Sequence, residues 1–103
     1  MEAMPLPADV ERYVERTFAA AERATVLALL GAAVIHDGTP AGSRLVRCAA
    51  VSSGGSVARL RSQLDQLKRD WRDVIVEAEY VPSGVGFEVV RVRNLSEPIG
   101  EDV

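Results

Sequence analysis

The side chains able to do chemistry are few and widely spaced: one histidine at position 36, one cysteine at 48, and a serine–glycine run, Ser52-Ser53-Gly54-Gly55-Ser56. His36 precedes Asp37, a pairing in which a carboxylate can orient an imidazole for general-base work. Such a base also needs a proton donor within about 3 Å, and the sequence nominates none. Beside a helix end, His36 instead complements the C-terminal dipole and Asp37 belongs to the turn. Cys48 could be a nucleophile if His36 stabilised its thiolate. It shares a helical face with Leu45, Ala49 and Ser52, so a small buried apolar role is expected. The Ser52–Ser56 run would leave N–H groups open to an anion at the start of the next helix, with Arg59 and Arg61 adding charge. The same composition also suits a flexible link with a serine cap.

A single histidine and a single cysteine cannot form, in one copy, a metal site needing a pair of either. HExxH, CxxC and GxxxxGK[ST] are absent, and the glycines near 54 do not match a dinucleotide fingerprint. No catalytic, cofactor-binding or metal-ligating residue is assigned, and no cofactor is expected.

The charges fall into blocks. The net charge is −3, from 12 basic and 15 acidic residues. Residues 1–40 carry 3 basic and 6 acidic side chains, residues 41–72 carry 7 and 2, and residues 73–103 carry 2 and 7. A phosphate-reading surface could be built from Arg44, Arg47, Arg59, Arg61, Arg69 and Arg72 only if folding kept the signs apart. Pairing of the blocks within the fold or across a dimer is the expected outcome. Arg59 and Arg61 sit where a helix-turn-helix reader would contact bases, but the helix that follows is too long and the total charge is acidic. Nucleic acid is therefore not the expected partner.

The elements that must position these groups are mostly helical. The chain has 103 residues, of which 48% are hydrophobic, suiting one small globular domain. With one cysteine it has no intramolecular disulfide. It has no apolar run of about 18 residues, and its start, MEAMPLPADVER, lacks a basic then apolar leader. A cytoplasmic protein without a membrane span is expected.

Residues 1–7 read as a flexible lead, 8–93 as a single helical domain with a C-terminal strand, and 94–103 as a frayed tail. Asp9 is placed as a cap, followed by a face of Val10, Tyr13, Val14, Thr17 and Phe18 at helical spacing. A break is expected near 18–21. A second, mostly apolar segment from Ala24 to Ile35 is read as the central core helix, ended by His36, Gly38 and Pro40. Thr39 and Pro40 are read as the cap and first turn of a third helix. Val57, Leu60, Leu64, Leu67, Trp71, Val74 and Ala78 then recur at alternating spacings of 3 and 4, with Trp71 at the centre of an apolar seam.

Opposite charges four apart, Arg61–Asp65, Asp65–Arg69 and Arg69–Asp73, support the solvated side of this helix. A straight helix of that span would reach roughly 35 Å, so it either lies along a partner chain or bends in the middle. Val85–Arg93 is β-branched and reads as a strand, with Glu79–Pro82 as its hairpin partner across Ser83-Gly84.

The fold class is thus mainly α: a small bundle of three or four helices with a long last helix and a short C-terminal strand or hairpin. A non-catalytic interaction or regulatory subunit is expected. A homodimer is the favoured assembly, and Tyr13, Trp71, Tyr80 and Phe87 are candidate contact aromatics. The alternatives are a nucleic-acid-associated regulator using the arginines, and an anion- or ligand-binding protein or enzyme around His36 or Ser52–Ser56.

Overall fold

Four α-helices are followed by a two-stranded antiparallel hairpin in a computed structural model describing residues 6–82, 86, 89–101 and 103. The helices are α1 (Ala8–Thr17), α2 (Arg23–Gly31), α3 (Ser43–Ser53) and α4 (Val57–Glu79); the strands are β1 (Tyr80–Pro82) and β2 (Val89–Arg91). Tyr80 pairs with Arg91, Val81 with Val90 and Pro82 with Val89. This register leaves residues 83–88 as the connection, longer than the expected turn at Ser83-Gly84, and the second strand is shorter than the expected Val85–Arg93; residues 83–85, 87 and 88 lie outside the described residues.

The spacing of α1 buries Val10, Tyr13, Val14 and Phe18 together, as one apolar face must. Phe18 and Ala19 then take extended backbone before a 3₁₀ turn at Ala20–Glu22, which separates α1 from α2 where the phase of the apolar residues changes. Asp9 does not cap. Pro7 occupies the N-cap position, and the Asp9 carboxylate turns inward instead.

Residues 24–35 do not form a central helix. α2 stops at Gly31, and the chain doubles back: Ala41 N–H donates to the Ala33 carbonyl and Ile35 N–H to the Thr39 carbonyl, both at 2.9 Å. The Asp37 carboxylate accepts from Thr39 N–H at 2.9 Å, and Gly38 takes φ +83°, so this turn has side-chain chemistry of its own. Thr39 and Pro40 belong to the return, and α3 starts later, with Gly42 at its N-cap.

The centre is α3. Every residue from Val46 to Val51 is buried, which encloses the helix on all sides. Cys48, Ala49 and Ala50 have short side chains, so α1, α2 and α4 can all approach its axis. Its mixture of serines and arginines hid this role from a reading based on hydrophobicity.

α4 bends. Asp70 has extended backbone (φ −157°, ψ 99°), and its carboxylate accepts from Arg72 N–H at 3.1 Å, as a helix-starting aspartate does. Gln63 Nε2 reaches Glu77 Oε2 at 2.8 Å and Gln66 Nε2 reaches Asp73 Oδ2 at 3.0 Å. Fourteen residues of straight helix would separate the first pair by about 21 Å, so the arms 57–69 and 71–79 fold back toward each other. Of the seam, Leu60, Leu67, Val74 and Ala78 are buried. Trp71, expected at its centre, is 36% exposed because it opens the second arm just past the break. The ladder across 61–73 is replaced, among the described residues, by an Arg72–Asp70 pair at 3.1 Å.

The segment after β2, read from sequence as frayed, returns Leu95 and Ile99 to the core. Arg16 Nη2 donates to the Gly100 carbonyl at 2.7 Å.

The α3–α4 turn is tight. Gly54 and Gly55 have φ of +59° and +86°, and a Cβ on Gly55 would lie 2.8 Å from the Thr17 carbonyl oxygen. Gly55→Ala is expected to lower the unfolding free energy by about 1–3 kcal/mol. Gly54→Ala, whose Cβ would meet only Arg59 Nη1 at 3.7 Å, should cost less. Urea midpoints of the two variants give the comparison.

Candidate functional site

The groups singled out for chemistry are not brought together. His36 is exposed in the turn after α2, with no helix end beside it. Cys48 is fully buried in α3. Ser53 Oγ donates to the Ala50 carbonyl at 2.6 Å and Ser52 Oγ to Ala49 at 3.3 Å. Ser56 Oγ caps α4 by accepting from Arg59 N–H at 3.2 Å. The Ser52–Ser56 run is therefore a closed turn whose hydroxyls serve the backbone. Among the described residues no group of three His, Cys, Asp or Glu side chains could hold a metal ion.

Cys48 is a poor nucleophile here. Burial first, and then the charge and hydrogen bond of Glu79, push its thiol up to about 12, so it stays protonated near neutrality. Its Sγ donates to Glu79 Oε2 at 3.6 Å.

Two carboxylates that sequence reasoning had not connected organise the polar interior. Glu79, at the end of α4, has a fully buried side chain. Arg44 of α3 donates Nε and Nη2 to its two oxygens at 2.9 Å each. Arg91 of β2 donates Nε at 3.1 Å and Nη2 at 2.6 Å to Oε1. Burial pushes the Glu79 carboxyl up, but the hydrogen bonds from Arg44 and Arg91 outweigh it and hold the group down at about 2.

The second carboxylate is Asp9. Arg47 grips it through Nε at 2.9 Å and Nη2 at 3.1 Å, and Ile99 N–H donates to it at 3.0 Å. Burial raises its pKa, yet the Arg47 and Ile99 bonds leave it below the ordinary value. The three charge blocks of the sequence meet here: the basic middle supplies Arg44 and Arg47, and each acidic end supplies one carboxylate. No spacing signal marks either pair, since the partners stand 35 and 38 residues apart. The arginines inside the otherwise small-residue α3 are the one sequence feature pointing that way.

These pairings break up the arginine set considered for phosphate backbones: Arg47 is enclosed against Asp9, Arg44 turns to Glu79 at the end of α4, and Arg72 makes a surface pair with Asp70. Arg59, Arg61 and Arg69 remain exposed on the first arm of α4.

An apolar face lies on the second arm and the hairpin. Ile75, Val76, Tyr80 and Val89, with Arg72, line an open cleft of about 310 Å³. Val76 is 48% and Val89 54% exposed. Val81, Val90 and Val92 are exposed as well, so the hairpin presents valines on both faces. Of the candidate contact aromatics, Tyr13 is in the core, Tyr80 is half-buried in this cleft, Trp71 is exposed, and Phe87 lies outside the described residues.

Comparison with protein-family models, with curated proteins and with solved structures finds no match. The polar interior holds two carboxylates gripped by arginines, a protonated thiol, Ser53 bonded to the backbone, and Gln63, whose amide donates to Glu77 while its Oε1 has no partner. No helix among the described residues is long and apolar enough to cross a membrane.

Proposed function

We propose that this chain is a non-catalytic cytoplasmic interaction or regulatory subunit, and that its first partner is a second copy of itself. The observation that carries this reading is the exposed apolar face made by Ile75, Val76, Tyr80 and Val89. A two-stranded hairpin is marginal without cover, and here both of its faces carry exposed valines. Large exposed apolar surface rimmed by polar groups marks an association site.

The choice of a second copy rests on self-complementarity. β2 (Val89–Arg91) pairs with β1 alone among the described residues. Antiparallel pairing of two β2 edges about Val90 sets Arg91 of one copy opposite Val89 of the other, with no like charges facing. A single buried cysteine suits a reducing compartment. A nucleic-acid role has less support, because folding scatters the arginines it would use: Arg47 is enclosed, Arg44 stands at the end of α4, and Arg59, Arg61 and Arg69 lie on its first arm.

Sedimentation over a range of protein concentrations tests the reading. The expected species has twice the 11.1 kDa chain mass. Val76→Glu and Val89→Glu should each raise the dimer dissociation constant at least about tenfold, or ~1.4 kcal/mol, with the circular dichroism unchanged. A monomer at every concentration, or a dimer indifferent to both changes, would overturn it.

A further inference from the structure

At the C-terminal end of α4, arginines outnumber carboxylates. Arg44 and Arg91 both pair with Glu79, and Arg93 Nη1 donates to the Ala78 carbonyl at 2.6 Å. Among the described residues no second carboxylate lies within ion-pair distance of these three arginines. Among the described residues, three guanidiniums against one carboxylate leave two positive charges in one corner. One bidentate arginine would already neutralise Glu79, so the extra cations are not needed to satisfy the buried acid.

The donors left over are oriented. Arg44 and Arg91 each spend Nε and Nη2 on Glu79, which turns Nη1 away from the carboxylate. Their side chains remain 39% and 42% exposed. Arg91 ends β2 and Arg93 follows two residues later; both reach the end of α4, at Glu79 and the Ala78 carbonyl, while Arg44 enters from α3. The backbone closes the corner, with Val92 N–H donating to the Glu79 carbonyl at 2.7 Å. Glu79 and the Ala78 carbonyl therefore hold the guanidiniums in place before any ligand arrives, which reduces the ordering cost of binding.

We propose that Arg44, Arg91 and Arg93 form a phosphate-binding site at this corner, with Glu79 as the positioning residue that fixes the first two. Two excess charges match a phosphate dianion better than a carboxylate. Its tetrahedral oxygens can also accept from guanidiniums entering from different directions.

Isothermal titration with inorganic phosphate, at ionic strength held constant with sodium chloride, tests the site. Wild type should bind one phosphate saturably. Arg93→Met removes one excess charge without touching the Glu79 pairs and should weaken binding at least about tenfold. Arg44→Lys keeps the charge but loses the fork, and should weaken it less. Titration with O-phosphoserine separates the sources: tighter binding than inorganic phosphate assigns the site to a phosphorylated side chain, and equal affinity to the free ion. Absence of saturable binding, or equal affinity in wild type and both variants, would overturn the proposal.

Discussion

Arg47→Met is expected to remove about 3–5 kcal/mol of stability at pH 7, the usual cost of stripping one partner from a buried ion pair. The guanidinium makes both side-chain bonds to Asp9, and both side chains are nearly enclosed. Without it, the carboxylate keeps only the Ile99 N–H in an apolar setting. A domain of this size has about 5–15 kcal/mol in total, so urea unfolding at pH 7 should show a much earlier midpoint.

The pH dependence identifies the cause. In wild type the Asp9 pKa lies below its ordinary value, so its contribution is complete above the unfolded pKa and fades as pH falls. In Arg47→Met, burial is no longer offset, the pKa rises, and acidification relieves the buried charge. The gap between variant and wild type should narrow from pH 7 to pH 4. Adding Asp9→Leu should recover part of the loss, leaving about 1–3 kcal/mol for the Ile99 N–H without its acceptor. A gap that stays constant with pH would show that Arg47 acts through packing alone.

Glu79→Gln should cost about 2–3 kcal/mol at pH 7 and flatten the acid limb of the stability curve. The Glu79 carboxyl titrates near 2 in the folded protein, against 4.5 ordinarily. The unfolded chain therefore takes up the proton first as pH falls. The stabilisation is fully present above about pH 4.5 and is lost progressively toward pH 2. The size sits below a full buried-pair loss because Arg44 and Arg91 are partly exposed and can turn to water. Urea titrations between pH 7 and pH 2.5 should show wild type and variant converging. Curves that remain parallel throughout would mean that the ionised form of Glu79 is not what holds α3, α4 and β2 together.

The two variants also probe different parts of the fold. Asp9 and Arg47 connect α1, α3 and the segment after β2, whereas Glu79 ties α3 and α4 to the hairpin. Their losses are expected to add only if the two carboxylate clusters act independently.

What the sequence by itself determined is local. The 3.6-residue recurrence fixed the inner face of α1. The change of phase near 18–21 fixed the break before α2. The alternation of 3 and 4 from Val57 onward fixed where α4 runs, and β-branched residues marked the hairpin, though its second strand is Val89–Arg91 and not the whole of Val85–Arg93. Each is a property of neighbours along the chain, because a helix or strand selects its buried face by period. The Asp70-Trp71-Arg72-Asp73 stretch carried a capping signature at the bend, masked by the continuous apolar seam around it.

Only the tertiary structure decided which helix is central, that Trp71 faces outward, and which charges are buried. α3 looked too polar for the centre because Arg44 and Arg47 carry charge that is met by Glu79 and Asp9, far away in the chain. Burying an ion depends on a partner arriving from another element. That partner is set by how helices pack in space, and composition and period hold no record of it.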